Sequence, residues 1–193
     1  MSEDIWRNPS WKVTRFGVPK SGSFTEIADY KKQYGLEATK KEYEYALVNE
    51  TEFAPNGLTT SGVFIMWNIL IGVNTSLFST ANARLGVSTD TTEFSSSQVN
   101  LNPSGTATFF MQAIDATFPQ VNGNQCSWEA TFNGSTGNFT WNSFGVDNDM
   151  ADGTGNNITS YGTTRGLLNR FVSFQGTKPL GQTWVLTLII QQN

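Results

Sequence analysis

The sequence contains no histidine and a single cysteine, Cys126, among its 193 residues. A disulfide within the chain needs two cysteines and a cysteine-based metal cluster needs several, so both are excluded. The lack of histidine also removes imidazole zinc sites and the Ser-His-Asp and Cys-His arrangements that activate nucleophiles. These two absences exclude much of the common chemistry of hydrolases and zinc enzymes.

Charge is also scarce, because Asp, Glu, Lys and Arg make up 15% of the chain and leave a formal net charge of −4. Proteins that bind nucleic acid neutralise phosphates with clustered Lys and Arg. The one basic run, Lys31-Lys32 with Lys40-Lys41, is interspersed with glutamates and is more typical of a solvated helix face. We therefore expect no nucleic-acid partner.

Long hydrophobic runs are missing as well. The most apolar run, residues 63–73, spans eleven positions, whereas a transmembrane helix needs about twenty. The first residues, Met-Ser-Glu-Asp, lack the basic start and apolar stretch of a signal peptide. We therefore expect no membrane partner and a protein that folds in a cytoplasm.

Aromatic residues, by contrast, are plentiful: they form 13% of the chain and include 14 Phe and 6 Trp. Many lie in alternating segments. From Cys126 to Phe132 every second residue is apolar and the residues between are polar, which predicts a strand with one buried face. Residues 183–191 also alternate but carry apolar residues on both faces, which predicts a central or covered strand.

Turn signals such as Asn122-Gly123 mark further strands. These additional strands are predicted over 83–87, 108–117, 139–146 and 167–174. Within residues 139–146 the apolar residues change face, which predicts a β-bulge near Ser143.

Residues 57–72 predict a helix, because Thr59, Thr60 or Ser61 can cap its start, apolar residues recur at helical spacing, and Gly72 can end it. The run is apolar nearly all round, so a buried strand is the alternative. Residues 25–46 predict a mixed helical region that Gly35 interrupts. The fold class is therefore mainly β: a β-sandwich, of which the jelly roll is one form, with one short helix and an extended N-terminal arm.

Two domains are predicted, an N-terminal arm or attachment segment over 1–55 and a sandwich over 56–193. Exposed aromatic side chains gain from leaving water, so those of the arm are expected to dock on the chain's own core or on a neighbouring subunit. Deleting residues 1–27 is then expected to leave a folded core that no longer joins its assembly. The predicted anchor residues are Trp6, Trp11, Phe16 and Phe24.

The Gly/Asn/Asp-rich segment 147–165 offers the candidate metal ligands Asp147, Asp149 and Asp152. Hard cations take oxygen ligands at alternate positions, but here the third acid is one position late and a distal Glu is missing, which favours a plain polar loop. A glycosidase would need two carboxylates, one of them buried, and a solvated loop does not supply that. We therefore predict no catalytic residue, no metal and no cofactor.

Several short motifs follow one another in a set order along residues 56–191. The ordered set resembles a family of small structural proteins of tailed bacteriophages, described as virion, tail or decoration proteins. Ser143 departs from the pattern, since an acidic residue is expected there, and the first 55 residues do not match it. The motifs are Asn56-Gly-Leu-Thr59, Ala83-Arg-Leu-Gly-Val87-Ser-Thr-Asp-Thr91, Ser96-Ser-Gln98-Val-Asn-Leu101, Asp115-Ala-Thr-Phe-Pro119, Trp128-x-Ala-Thr-Phe132, Asn138-Phe-Thr-Trp-Asn142, Leu167-Leu-Asn-Arg170, Gly176-Thr-Lys178 and Thr183-Trp184.

The resemblance implies a protein of the virion, assembled in the host cytoplasm, that works by association and not by catalysis. Capsid decoration is the leading expectation, and a tail, collar or fibre-base component is the alternative. The expected partners are other capsid or tail proteins and further copies of the chain, with a trimer as one form. A carbohydrate-binding sandwich is the rival class; its glycan would stack on exposed aromatics, whereas alternation places Trp128, Trp141 and Trp184 inside.

Overall fold

The computed structural model describes residues 6–53, 57–73, 77–148 and 166–192. It is mainly β, with two five-stranded antiparallel sheets and three short helices, which confirms the predicted β-sandwich. Within these ranges, no helix combines the length and hydropathy that a membrane crossing needs.

The strands follow one another from the N-terminal to the C-terminal part of the chain. They are β1 (Trp6–Phe16), β2 (Leu47–Phe53), β3 (Gly57–Leu58), β4 (Arg84–Ser88), β5 (Phe109–Ala113), β6 (Gln120–Asn122), β7 (Gln125–Phe132), β8 (Ser143–Asp147), β9 (Leu167–Val172) and β10 (Thr183–Gln192). The helices are α1 (Glu26–Tyr34), α2 (Leu36–Glu42) and α3 (Thr60–Leu70). The first sheet has the order β2-β1-β10-β7-β6, and the second has the order β3-β9-β8-β4-β5.

The main core lies between the two sheets and is rich in aromatic side chains. Alternation along β7 and β10 sends Trp128 and Trp184 into it, as predicted from the period-two pattern. Trp141 sits at its centre, with ring centroids 4.8 Å from both Phe132 and Trp184 and 6.1 Å from Phe144. The strand tryptophans are therefore core residues and do not form a surface platform for a glycan.

The outer face of the first sheet is covered by α1 and α2. Phe16 and Val185 on that face form a second apolar cluster with Ile27 and Tyr43. Gly35 separates the two helices with a φ of 82°, a conformation that favours glycine, as predicted from the interrupted pattern. The last strand, β10, is consequently buried on both faces, which confirms the prediction of a covered central strand.

The outer face of the second sheet is covered by the segment between β4 and β5. Leu101 of that segment packs with Met111 and Leu167. Gly86 and Gly145 make room for it, since a Cβ at either position would lie 2.2 Å or 2.8 Å from a Leu101 methyl. Both faces of both sheets are thus partly shielded from solvent.

The N-terminal segment differs from its prediction. β1 lies inside the first sheet between β2 and β10, and Trp11 pairs with Leu188 in the β1–β10 register. The predicted boundary at 55/56 therefore does not separate a free arm from the sandwich, because residues 6–53 supply two strands and both sheet-covering helices. The local sequence of β1 hides this, since its apolar residues change face between Val13 and Phe16.

The change of apolar face near Ser143 coincides with a change in pairing. β8 begins at Ser143, which pairs with Val172, whereas Thr140 forms an isolated bridge with Thr177, so the register shifts between them. Backbone hydrogen bonds continue across this point, such as the one of 2.8 Å from the Asn142 amide to the Ser88 carbonyl. The irregularity therefore lies at the predicted place, just before β8 and not within it.

Candidate interaction surface

Helix α3 forms as the sequence predicts. The side-chain hydroxyl of Thr59 accepts a hydrogen bond of 2.9 Å from the Gly62 amide, which satisfies one of the unpaired donors of the first turn. Gly72, one residue beyond the C-cap, has a φ of 75° and ends the helix in a left-handed conformation. The alternative of a buried strand is therefore excluded.

The outward face of α3 is apolar. Trp67 is 58% exposed and Leu70 is 72% exposed, and their neighbours on the same face are similarly open to solvent. The five residues follow helical spacing and form what we call the α3 face: Val63, Phe64, Trp67, Leu70 and Ile71. Val73 and Leu77, just beyond the helix, are exposed too.

The inward side of α3 is mixed in character. Its fully buried residues are Ser61, Gly62, Ile65 and Asn68, and the half-buried Met66 also packs against the main core. A surface helix of a globular protein ordinarily turns its apolar stripe to the core and its polar residues to water. In α3 the outward side is apolar as well, so the helix is placed to bury that face against something outside the sandwich.

Small inward residues let α3 lie directly on β9. A Cβ at Gly62 would be 2.3 Å from the Leu168 carbonyl oxygen, so only glycine fits there. The Thr59 hydroxyl also donates to the Leu167 carbonyl, and the Thr59 amide donates to the Leu168 carbonyl at 2.9 Å. These backbone contacts fix the helix to a strand of the sandwich and so hold the α3 face rigid.

An apolar groove of about 360 Å³ lies beside α3, at one edge of the sandwich. Met66 of the helix lines it together with Phe78, Cys126 and Ile190. Burial raises the pKa of the Cys126 thiol above its ordinary value, so this half-buried cysteine acts as a small apolar side chain. Because Met66 is one helical turn from both Val63 and Leu70, the groove borders the α3 face.

The whole stretch 57–73 carries no charged residue. Isolated exposed apolar residues are ordinary, but contiguous apolar patches on a monomer rarely exceed a few hundred Å². The α3 face and its exposed neighbours exceed this and have no charged residue in their own segment. This combination is typical of a surface that another macromolecule covers.

The predicted anchor residues are not at this surface. Trp11 and Phe16 are fully buried in the chain's own core, so the prediction that they anchor a partner is wrong. Phe24 is 45% exposed and lies against Gly134 and Gly181. The side chain of Trp6 lies outside the part of the chain that the structure describes. Sequence reasoning did find α3 itself, and its uncharged outward stripe was the available signal for the surface.

The structure describes little of the acidic segment 147–165. Asp147 is buried at the end of β8, whereas Asp149 and Asp152 lie outside the described residues. In the part of the chain that the structure covers, no group of three or more Asp, Glu, Cys or His side chains could hold a metal ion.

Two carboxylates do meet in a cavity of about 410 Å³ beneath α1 and α2. Lys31 forms ion pairs with both Asp115 and Glu129, the latter at 2.6 Å, and is almost fully buried. Thr131 and Thr187 donate further hydrogen bonds to these carboxylates, at 2.9 and 3.0 Å. Sequence reasoning placed Glu129 on an exposed polar face; instead α1 covers it, and the cluster ties that helix to β7.

Other motif residues meet in buried polar contacts. Arg170 pairs with Asp90 at 3.0 Å and donates to the Gln98 side chain at 3.1 Å, which holds the long segment after β4 against β9. Lys178 donates to the Asn138 side chain at 2.7 Å. These residues of the resembling motifs thus help to hold the fold together.

The α3 face and the adjoining groove are therefore the functional surface that the geometry supports best. Comparison of the chain with protein-family models, with curated proteins and with solved structures finds no match.

Proposed function

We propose that this chain is a non-enzymatic structural protein of a tailed-bacteriophage particle that acts through the α3 face. The observation that carries the proposal is the apolar outward face of α3, in which exposed Trp67 and Leu70 lie on a helix fixed to the sandwich. Large apolar and aromatic side chains dominate the energy of protein interfaces. A rigid, uncharged apolar face suits permanent association better than turnover.

The virion assignment is supported by the ordered motifs along residues 56–191. Buried contacts between those motifs, such as the Arg170–Asp90 ion pair, join them within one fold. A role in capsid decoration predicts many copies in each particle, whereas a tail, collar or fibre-base role predicts few.

The test is the protein content of purified particles. The chain should appear as a stoichiometric band and in mass spectra of particles from its phage, and the band intensity relative to the major capsid protein should separate decoration from a tail role. An antibody raised against the purified chain should label particles in electron micrographs. Absence of the chain from purified particles, with the chain present in the infected lysate, would overturn the proposal.

A further inference from the structure

We propose that the α3 face pairs with the α3 face of a second copy of this chain, with the two helices antiparallel across a two-fold axis that passes beside Trp67. This pairing builds on the proposed structural role by naming the partner of the α3 face. A second copy is inferred as the partner from the area, the charge and the residue spacing of the α3 face.

The area matches what a stable dimer needs. From their exposed fractions, the five residues of the α3 face with Val73 and Leu77 offer roughly 700 Å² of mostly apolar surface. A standard protein interface buries about 800 Å² on each partner, and the smaller specific ones bury about 600 Å². The available area is therefore of the size that specific pairing uses.

The charge pattern favours self-association. An isologous interface brings each patch against its own copy, so an uncharged patch meets an uncharged patch and no charge is buried without a partner. Residues 57–73 carry none, although the chain as a whole has a net charge of −4. The chain's own undescribed segment 149–165 is rich in Gly, Asn and Thr and offers few apolar side chains for this role.

The spacing of the face selects the antiparallel arrangement. Its residues stand at −4, −3, 0, +3 and +4 relative to Trp67, so the pattern is symmetric about that residue. A two-fold axis beside Trp67 places Val63 opposite Ile71 of the second copy and Phe64 opposite Leu70. Apolar side chains at such spacing interlock when two helix axes lie about 8–10 Å apart.

The mass of the full chain in solution is the first test, measured by sedimentation equilibrium over a wide concentration range. The wild-type chain should have twice the mass of one chain. Trp67→Glu and Ile71→Glu place a charge in the pair and should give monomers with unchanged circular dichroism, since both side chains are exposed in the single chain. Phe174→Glu is the matched control, because Phe174 is 72% exposed but lies beyond the far end of β9; it should remain dimeric.

Cross-linking then tests the register. In a Cys126→Ser background, a mixture of Val63→Cys and Ile71→Cys chains should be joined by a short bismaleimide. Val63→Cys chains alone should not be cross-linked, because the two cysteines of such a pair are separated by about 12 Å along the helix axis, the rise of eight helical residues.

Several results would overturn the pairing: a monomeric or trimeric wild-type chain, a dimer that survives Trp67→Glu, self-cross-linking of Val63→Cys, or a monomer that binds lipid vesicles through α3. The content of purified particles tests the structural role separately, so failure of one proposal is distinguishable from failure of the other.

Discussion

At the scale of single residues, the buried ion pair between Arg170 and Asp90 is the contact most sensitive to substitution. Both side chains are almost completely buried, and the Arg170 guanidinium also donates to the Thr92 carbonyl at 2.6 Å. Burial alone would raise the pKa of Asp90, but hydrogen bonds from Ser104 and Thr92 lower it, so the carboxylate stays ionised. Removing either partner leaves a charge without compensation in the interior.

Arg170→Met should therefore lower the free energy of unfolding by about 3–5 kcal/mol, measured by urea denaturation. Lys12→Met is the matched control, because it removes a partly exposed ion pair with Glu50 and should cost no more than about 1 kcal/mol. Equal losses for the two variants would show that the Arg170 pair contributes no more than a surface pair.

The buried Lys178 should make the free energy of unfolding depend on pH. Burial lowers its pKa to about 7 in the folded chain, although two oxygen acceptors, the Asn133 carbonyl and the Asn138 side chain, contact its Nζ. Between about pH 7 and the ordinary lysine value of 10.5, the unfolded chain binds a proton that the folded chain does not. Stability should therefore rise with pH across this window, by up to about 1.4 kcal/mol per pH unit.

The measurement is the free energy of unfolding at a series of pH values for wild type and Lys178→Met. The difference between the two curves should change across this window, since groups common to both proteins cancel. Lys41→Met, at an exposed position, should reproduce the wild-type slope. A difference curve that is flat between pH 7 and 10.5 would contradict the assignment to Lys178.

At the scale of elements, the fit of α3 on β9 depends on Gly62. Gly62→Ala places a methyl group 2.3 Å from the Leu168 carbonyl oxygen and 2.5 Å from its Cα, and backbone cannot move aside cheaply. We expect a loss of about 1–3 kcal/mol in thermal or urea unfolding, despite the better helix propensity of alanine. Thr60→Ala, at an exposed position of the same helix outside the α3 face, should change the stability little. A Gly62→Ala protein as stable as wild type would contradict this close packing.

Elements with a strong local pattern were predictable from the sequence. The alternation of β7 and β10, the caps of α3 and the break at Gly35 are all local signals, and each appears in the structure as expected. β1 escaped prediction because it contains Pro9, its apolar side chains switch faces, and its partner β10 lies far away in the chain.

The surface was predictable only in part. Periodicity located α3 but could not say which side of an all-apolar helix faces the core; the close approach at Gly62 decides that. The Lys31 cluster was missed for a related reason, since nothing near Glu129 in sequence signals that α1 will cover its face. Long-range packing determines both features.

At the scale of the whole molecule, the chain is a single layered unit in which covering elements shield the sheets from solvent. α1 and α2 cover the first sheet, and the segment carrying Leu101 covers the second. α3 differs from them, since it packs on β9 and also adds an exposed apolar surface. The sandwich therefore supplies rigidity, and α3 supplies the contact.

The same architecture argues against the expectation that residues 1–27 can be removed without loss of the fold. That deletion takes away β1, and with it Trp11, Val13 and Phe16, each fully buried. It also leaves β10 without a neighbour on one side and removes Ile27 from the cluster beneath α1. We expect the truncated chain to lose cooperative thermal unfolding altogether, because the loss exceeds that of several large-to-small core substitutions.

Deletion of residues 2–5, which precede β1, is the control and should keep a wild-type melting transition. Trp11→Ala provides an intermediate case, with a loss of about 3–5 kcal/mol while the fold persists. If the chain lacking residues 1–27 instead unfolds cooperatively, β1 contributes little to the sandwich and the attachment-arm interpretation regains its basis. Because the truncated chain is assayed alone, this result does not depend on any partner.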